Sequence, residues 1–437
     1  MLKCNLSKEI NNCPFCNLDN MECKNKDTQC AFREKDIVKN QNNYERGFMK
    51  YNFDKIIDRK NTLSCKWDEC KENGLPMWIA DMDFEVAPKI KEALINRVNN
   101  GIFGYSYIPN EYYEAIISWW KRRYNFEIKK EWIIFSTGVI ASISSMVRRL
   151  THPNDNVVLL TPIYNTFYNS ILNNGARSLD CPLIEKDGLY YIDFEDLEKK
   201  LSLPTTTLMI FCNPQNPTGN IWSKEDMEKI GQLCFKHNVT IISDEIHCDL
   251  TSPNYRYIPF ASVNELNKDI SITCLSPGKS FNLAGINSSC MVIKNKRLFD
   301  LINRGLNNDE CAEPNAFAIP MTIAAYNESE DYLDELRIYI EENRQYFTDE
   351  INRHFNGKIK IIESHATYLL WVDVRNITFN TTQLCEFIED KTGLKITSGE
   401  NYHQNGFVRI NIACPRQLLI DGINRFVQGI ELFMKEK

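Results

Sequence analysis

Val239-Thr240-Ile241-Ile242-Ser243-Asp244-Glu245-Ile246-His247 opens as a short apolar, β-branched run and closes on two acids and a histidine. Such a run is too short for a helix and reads as a buried strand that delivers polar residues at its carboxyl end. Five similar runs occur: Ile133-Ile134-Phe135, Val157-Val158-Leu159-Leu160, Leu208-Met209-Ile210-Phe211, Ile270-Ser271-Ile272-Thr273 and Cys290-Met291-Val292-Ile293. Helical periods lie among them. Ile90, Ala93, Leu94 and Val98 share one face, as do Tyr112, Ala115, Ile116 and Trp119, and again Ile140, Ile143, Val147 and Leu150. Ser223 to His237 is built as a connecting helix, with Ser223 as N-cap, Asp226 closing a capping-box-like pair, and Met227, Ile230 and Cys234 facing inward. The alternation predicts an α/β body whose strands are buried and parallel. Leu419, Ile423, Phe426, Ile430 and Phe433 predict a terminal amphipathic helix on a separate small domain, which both chain ends share.

The chain has 437 residues, 51 basic against 58 acidic side chains, and a formal net charge of -7. That length suggests two or three structural units and an active site between them. The mild, mixed charge provides no basic field for nucleic acid or an anionic membrane, so neither is expected as a partner. No apolar run reaches the roughly 20 residues of a bilayer span, and the opening lacks a signal-peptide core; the expectation is a cytoplasmic protein. Its 16 cysteines are then expected to be reduced, most of them small buried residues.

Cys4, Cys13, Cys16, Cys23 and Cys30 stand apart, crowded into a polar segment that ends near Phe48. Cys13-Pro14-Phe15-Cys16 sets two thiols on one tight turn, as in a zinc knuckle, although the gaps that follow are not a standard finger spacing. A metal or cluster site, a redox sensor and a thiol-rich extension without a ligand stay open, and no metal ligand is assigned.

Chemistry collects where the predicted strands end, the place where open parallel sheets bind ligands. After Phe211 comes Asn213-Pro214-Gln215-Asn216, after Ile242 comes Ser243-Asp244-Glu245-Ile246-His247, and after Thr273 comes Ser276-Pro277-Gly278-Lys279. An amide, a carboxylate and an amine on successive strand ends suit pyridoxal phosphate: lysine for a Schiff base, carboxylate for the pyridine nitrogen, amide for the phenolic oxygen. Taken singly, Lys279 is a surface lysine, Asp244 a helix cap and Asn216 a turn residue. Their joint occurrence in this order favours the cofactor site.

The chain resembles the fold-type I pyridoxal-phosphate enzymes of the class I and II aminotransferase superfamily from about Tyr51 to its end. Within it, the cystathionine β-lyase or cysteine-S-conjugate β-lyase branch is the most similar, through Leu75-Pro76-Met77-Trp78-Ile79-Ala80-Asp81-Met82-Asp83-Phe84, Phe103-Gly104-Tyr105-Ser106, Ser243-Asp244-Glu245-Ile246-His247 and Gly406-Phe407-Val408-Arg409-Ile410-Asn411. The resemblance implies an α/β fold with a large, mostly parallel sheet flanked by helices over residues 96–325. It also implies a small α+β domain from 49–95 and 326–437, with 1–48 outside as a cysteine-rich extension.

Residue by residue, the resemblance makes Lys279 the Schiff-base lysine and proton shuttle and pairs Asp244 with the pyridinium nitrogen. It directs Asn216 to the phenolic oxygen and stacks Tyr164 on the ring. Ser276 and the amides near Gly138, Val139 and Ile140 match the phosphate cradle, the latter opening a helix whose dipole favours a dianion. Tyr105 matches a tyrosine that reaches the phosphate of a neighbouring subunit, which implies a homodimer with shared active sites. Arg409 matches the clamp on the α-carboxylate of an amino-acid substrate, and Ala80 lies in the segment covering it.

Three departures from the wider superfamily stand out: His247 in place of a tyrosine, as in the lyase branch; Asn287 where a phosphate-binding arginine is common; and Gly278 where the branch has serine. The reaction implied is α,β-elimination from L-cystathionine or a related cysteine S-conjugate, releasing a thiol, pyruvate and ammonia. An aminotransferase shares the same carbanion and is the rival reading; a regulatory or thiol-sensing binding protein is the rival of another class. His152, His237, His354, His365 and His403 show no ligand-like spacing.

Overall fold

In the computed structural model the described residues are 49–436, together with the backbone of Cys16–Asn17 and Glu22–Cys23. The chain divides into Met1–Lys50 and Tyr51–Lys437. In the first unit Cys16–Asn17 pairs antiparallel with Glu22–Cys23, Cys16 opposite Cys23. The side chains of the five N-terminal cysteines lie outside the described residues, and so does the metal or redox reading placed on them.

The second unit is built on a seven-stranded sheet. Its strands are β1 (Ile133–Ser136), β2 (Asn156–Thr161), β3 (Arg177–Pro182), β4 (Thr206–Cys212), β5 (Thr240–Asp244), β6 (Ser271–Leu275) and β7 (Ser289–Val292), in the order β1-β7-β6-β5-β4-β2-β3. All six apolar runs are strands of this sheet. The sheet is mostly parallel, as the resemblance implies, and of the six runs read as parallel strands the exception is β7, which runs antiparallel to both β6 and β1. Only 13 residues separate β6 from β7, which is short for the crossover that a parallel neighbour needs, so the chain returns in the opposite direction. β3 lacks an apolar run because it is an edge strand, buried at Cys181 alone.

Helices cover both faces. α1 (Val139–Leu150) buries Val139, Ile143, Met146 and Val147; α2 (Thr166–Leu172) follows β2; and α3 (Lys224–Lys236) buries Met227, Ile230 and Cys234. Ser223 caps α3 as expected, its Oγ accepting from the Asp226 amide at 3.0 Å. The face expected for Ile90, Ala93, Leu94 and Val98 is the exception. In the helix Pro88–Asn99 only Ile90 is buried, while Ile95 and Val98 are exposed.

A four-stranded antiparallel sheet forms the second layer system, from β8 (Lys360–Ile361), β9 (Leu369–Asp373), β10 (Thr397–Ser398) and β11 (Phe407–Asn411), in the order β8-β9-β11-β10. Beside it α4 (Glu330–Phe355) packs on β8 and on α5 (Arg416–Glu436), in which all five residues of the predicted stripe, Leu419 to Phe433, are buried. The chain's early part joins here: Leu75–Pro76 pairs in parallel with Leu394–Lys395. Eleven described cysteines are free, nine of them buried. No described helix is long and apolar enough to cross a membrane.

Candidate active site

A cavity of about 350 Å³ opens at the carboxyl ends of β4, β5 and β6, with Asn216, Asp244, His247, Ser276 and Lys279 on its walls. The sheet register explains this gathering. Asp244 lies opposite Cys212 of β4 on one side and Cys274 of β6 on the other, so three turns leave the sheet at one level. The Asn213–Pro214 and Asn216–Pro217 peptides are cis.

Of the two adjacent acids, only Asp244 lines the cavity. Its Oδ1 accepts from the Ile246 amide at 3.2 Å, and burial pushes its carboxyl up to about 6 against the opposing effects of that bond and of Lys279. Glu245 points into the core and accepts from Ser243 Oγ at 2.8 Å and the Phe260 amide at 3.0 Å, with burial raising it to about 7. His247 is buried and neutral: desolvation, then the charges of Lys279 and Arg409, lower it to about 3, and its Nδ1 has no partner among the described residues.

Lys279 Nζ donates to the Ala80 carbonyl at 2.7 Å. Burial and then the charge of Arg409 lower its ammonium to about 8, with Asp81 and Asp244 acting the other way. Arg409, on β11 and only 5% exposed, donates to Asn216 Oδ1 at 3.2 Å and to the Trp78 carbonyl at 2.9 Å, and lies 4.7 Å from the Tyr402 ring centroid. Its Nε is buried without a partner among the described residues, a donor held ready in a charged group.

Gly138, Val139 and Ile140 line the cavity at the start of α1, a helix with no side-chain cap on its free amides. Ser276 Oγ donates to the Ser288 carbonyl at 2.6 Å and accepts from the Gly278 amide at 3.0 Å, so its proton is directed within the chain. A Cβ on Gly278 would meet that Oγ at 3.0 Å, which gives the glycine a steric reason. Tyr164 lines the cavity with its ring edge-to-face on Phe167. Tyr105 is the residue the chain does not bring to its own cavity; it is fully exposed, beside exposed Ile102, Phe103 and Tyr107.

Sequence reasoning missed how the strap Trp78–Phe84 is held. Asn411 Nδ2 donates to the carbonyls of Ile79 and Asp81, both at 2.7 Å, and Thr397 Oγ1 to that of Trp78 at 3.0 Å. Asn282 Nδ2 reaches the carbonyls of Met82 and Phe84, and buried Lys66 pairs with buried Asp83 at 2.7 Å. Tyr368 OH donates to the Ala80 carbonyl at 3.0 Å. Asn411 lies within a quoted motif, but no local pattern marks Tyr368, which stands 288 residues from its partner.

These residues fit pyridoxal phosphate: an amine and a carboxylate on one cavity, uncapped helix amides for a phosphate, and two buried nitrogens without partners among the described residues. The comparisons agree. Cystathionine beta-lyase PatB of Bacillus subtilis is 40% identical over 381 residues, covering 86% of this chain and 98% of PatB. The crystal structure of cystalysin from Treponema denticola, which contains a pyridoxal 5'-phosphate cofactor, superposes with a TM-score of 0.85 at 31% identity, covering 88% of this chain and 99% of cystalysin. The PLP-bound C-S lyase from Staphylococcus hominis gives 0.82 at 33%, over 87% and 98%. The family model for aminotransferase class I and II matches residues 74–426, and the chain belongs to that family.

Proposed function

We propose that this protein is a pyridoxal-phosphate-dependent carbon-sulfur β-lyase acting on L-cystathionine or a related cysteine S-conjugate. The observation that carries the reading is the convergence of the Lys279 amine and the Asp244 carboxylate on one cavity, with the Arg409 guanidinium hydrogen-bonded to Asn216 of its wall. When bound, pyridoxal phosphate supplies an electron sink for a carbanion at the substrate's Cα. Everything else falls to the chain. Lys279 holds the cofactor, then, freed by the substrate, takes the Cα proton; an amine brought down to about 8 is neutral often enough to do so.

Asp244 keeps the ring nitrogen protonated, and its burial makes that ion pair strong. Asn216 Nδ2 would be the group left to donate to the phenolic oxygen, since its Oδ1 is taken by Arg409. Neutral His247 and the Tyr164 ring, both lining the cavity, would add a polar contact and a stacking surface for the cofactor. Arg409 clamps the α-carboxylate while the Ala80 strap excludes water. The amides of Gly138, Val139 and Ile140, with Ser276, cradle the phosphate. A thiolate is a tolerable leaving group, with an ordinary thiol pKa of about 8.5.

The protein acts as a homodimer in the cytoplasm, where its free cysteines stay reduced. The exposed run Ile102 to Tyr107 supports the pairing, with Tyr105 completing the partner's phosphate site. Sedimentation showing a monomer that retains full activity would overturn this part.

The test of the whole reading is purified protein given L-cystathionine, with pyruvate and thiol followed together. Equal yields that vanish in Lys279→Ala establish the lyase. Amino-group exchange with a 2-oxo acid, without thiol release, establishes the aminotransferase, and failure to bind the cofactor leaves the binding-protein reading.

A further inference from the structure

The Ala80 carbonyl oxygen takes two hydrogen bonds, one from Lys279 Nζ at 2.7 Å and one from Tyr368 OH at 3.0 Å. A buried tyrosine needs a partner for its hydroxyl, and any carbonyl would serve. This one is shared with the lysine that carries the chemistry.

Much is invested in placing the phenol there. Tyr368 follows Thr367, a β-branched residue at φ 66°, in the left-handed region where such residues are outliers. Buried Arg344 holds this bend, donating to the Thr367 carbonyl at 2.6 Å and to Ser364 Oγ at 2.6 Å. The Thr367 amide donates to the Leu250 carbonyl at 2.7 Å, which ties the bend to the segment that begins at Asp244. The ring centroids of Tyr368 and His247 are 6.2 Å apart.

The phenol is not required to hold the strap. Arg409 and Thr397 fix the carbonyl before Ile79, Asn411 fixes those on either side of Ala80, and Lys66 also reaches that of Asp81 at 3.0 Å. What the phenol changes is the acceptor itself, because two donors on one carbonyl divide its dipole between them.

We propose that Tyr368 is a positioning residue for the elimination: by occupying one acceptor site of the Ala80 oxygen, it limits how firmly that oxygen holds the free Lys279 amine. The inference rests on Lys279 being the base of the proposed reaction. A carbonyl bound by the amine alone favours the ammonium form, which cannot take a proton from Cα. Burial keeps the phenol protonated, so it stays a donor across the working range. The charged or titratable groups acting on Lys279 are otherwise Arg409, Asp81 and Asp244, with His247 beside them, and Tyr368→Phe leaves all four in place.

The experiment reads the amine directly. Full-length protein stripped of cofactor is treated with acetic anhydride across a pH series, and acetylation of Lys279 is followed by peptide mass spectrometry. In Tyr368→Phe the midpoint is expected to rise by roughly half a unit to one unit, and turnover of the loaded enzyme at neutral pH to fall about threefold to tenfold with KM unchanged. An unchanged midpoint in a folded variant overturns the proposal. A lowered midpoint does so too, because it would mean that the phenol holds the carbonyl in place for the amine. If Tyr368→Phe does not fold, Tyr368→Met removes the same donor with different packing and takes the same titration. Lys279→Ala that still turns over would instead overturn Lys279 as the base of the proposed reaction, a result independent of the midpoint.

Discussion

The cavity has two walls of different construction. One consists of strand ends: Asp244 closes β5, Asn216 and Lys279 lie four residues beyond β4 and β6, and the register sets the three strand ends side by side. The other is the strap Trp78–Phe84, largely irregular backbone held by nearby Lys66 and by side chains from four distant segments, at Asn282, Tyr368, Thr397 and β11. The first wall inherits its precision from backbone hydrogen bonds that every parallel sheet must make. The second must satisfy each carbonyl individually, and it does so with Arg409, Thr397, Asn411, Asn282, Lys66 and Tyr368. A sheet-borne site therefore tolerates change in its surroundings, while a strap-borne one depends on single side chains.

That contrast is open to attack from both sides. Lys279→Ala on the sheet wall should cut β-elimination by about 10³-fold or more with the melting temperature nearly unchanged, read as pyruvate release beside a thermal scan. Lys66→Ala behind the strap should do the reverse. Among the described residues it leaves Asp83 with Arg59 at 2.7 Å as its one cation, and the loss of one partner from so buried a pair costs about 3 kcal/mol. A melting point within two degrees of the parent would show that the strap does not depend on this pair.

Arg409 belongs to both walls. Arg409→Lys keeps the charge and loses the fork, so kcat/KM should fall about 10-fold to 100-fold, mostly through KM, since a charge-assisted hydrogen bond contributes about 1.5–3 kcal/mol. The pH dependence sharpens the sheet wall alone. With the amine lowered to about 8, capture of pyridoxal phosphate by stripped protein should accelerate about tenfold per pH unit below 8 and level off above it, because only the neutral amine attacks an aldehyde. A plateau reached only above pH 10 would show Lys279 to be an ordinary exposed lysine. Gly278→Ser should have the smallest effect, within about 1 kcal/mol of stability, because its Cβ would meet Ser276 Oγ at 3.0 Å, a contact that a shift of a few tenths of an ångström relieves.

Legibility followed the same division. The six apolar runs announced six of the seven core strands, since a buried strand must be apolar on both faces, and each catalytic candidate followed its strand at once. β3 was silent because an edge strand exposes most of its side chains. The reversed direction of β7 was also hidden, for an apolar run carries no sign of its direction. The Pro88–Asn99 helix shows a pattern without the burial expected of it within one chain, next to the exposed run that ends at Tyr107.

What the sequence determined by itself is the α/β class, the register of residues within each strand, and the identity of the amine, carboxylate and amide at the strand ends. Local periodicity and motif order encode these, and they need no partner to be read. Only the tertiary structure decided that the Ala80 carbonyl is shared between Lys279 and Tyr368, that Asn411 bridges Ile79 and Asp81, and that Asn216 spends its oxygen on Arg409. Those bonds join residues some 190 to 330 positions apart. Backbone polar groups outside a sheet or helix accept whichever donor the fold brings within 3 Å, and nothing in the local sequence names that donor.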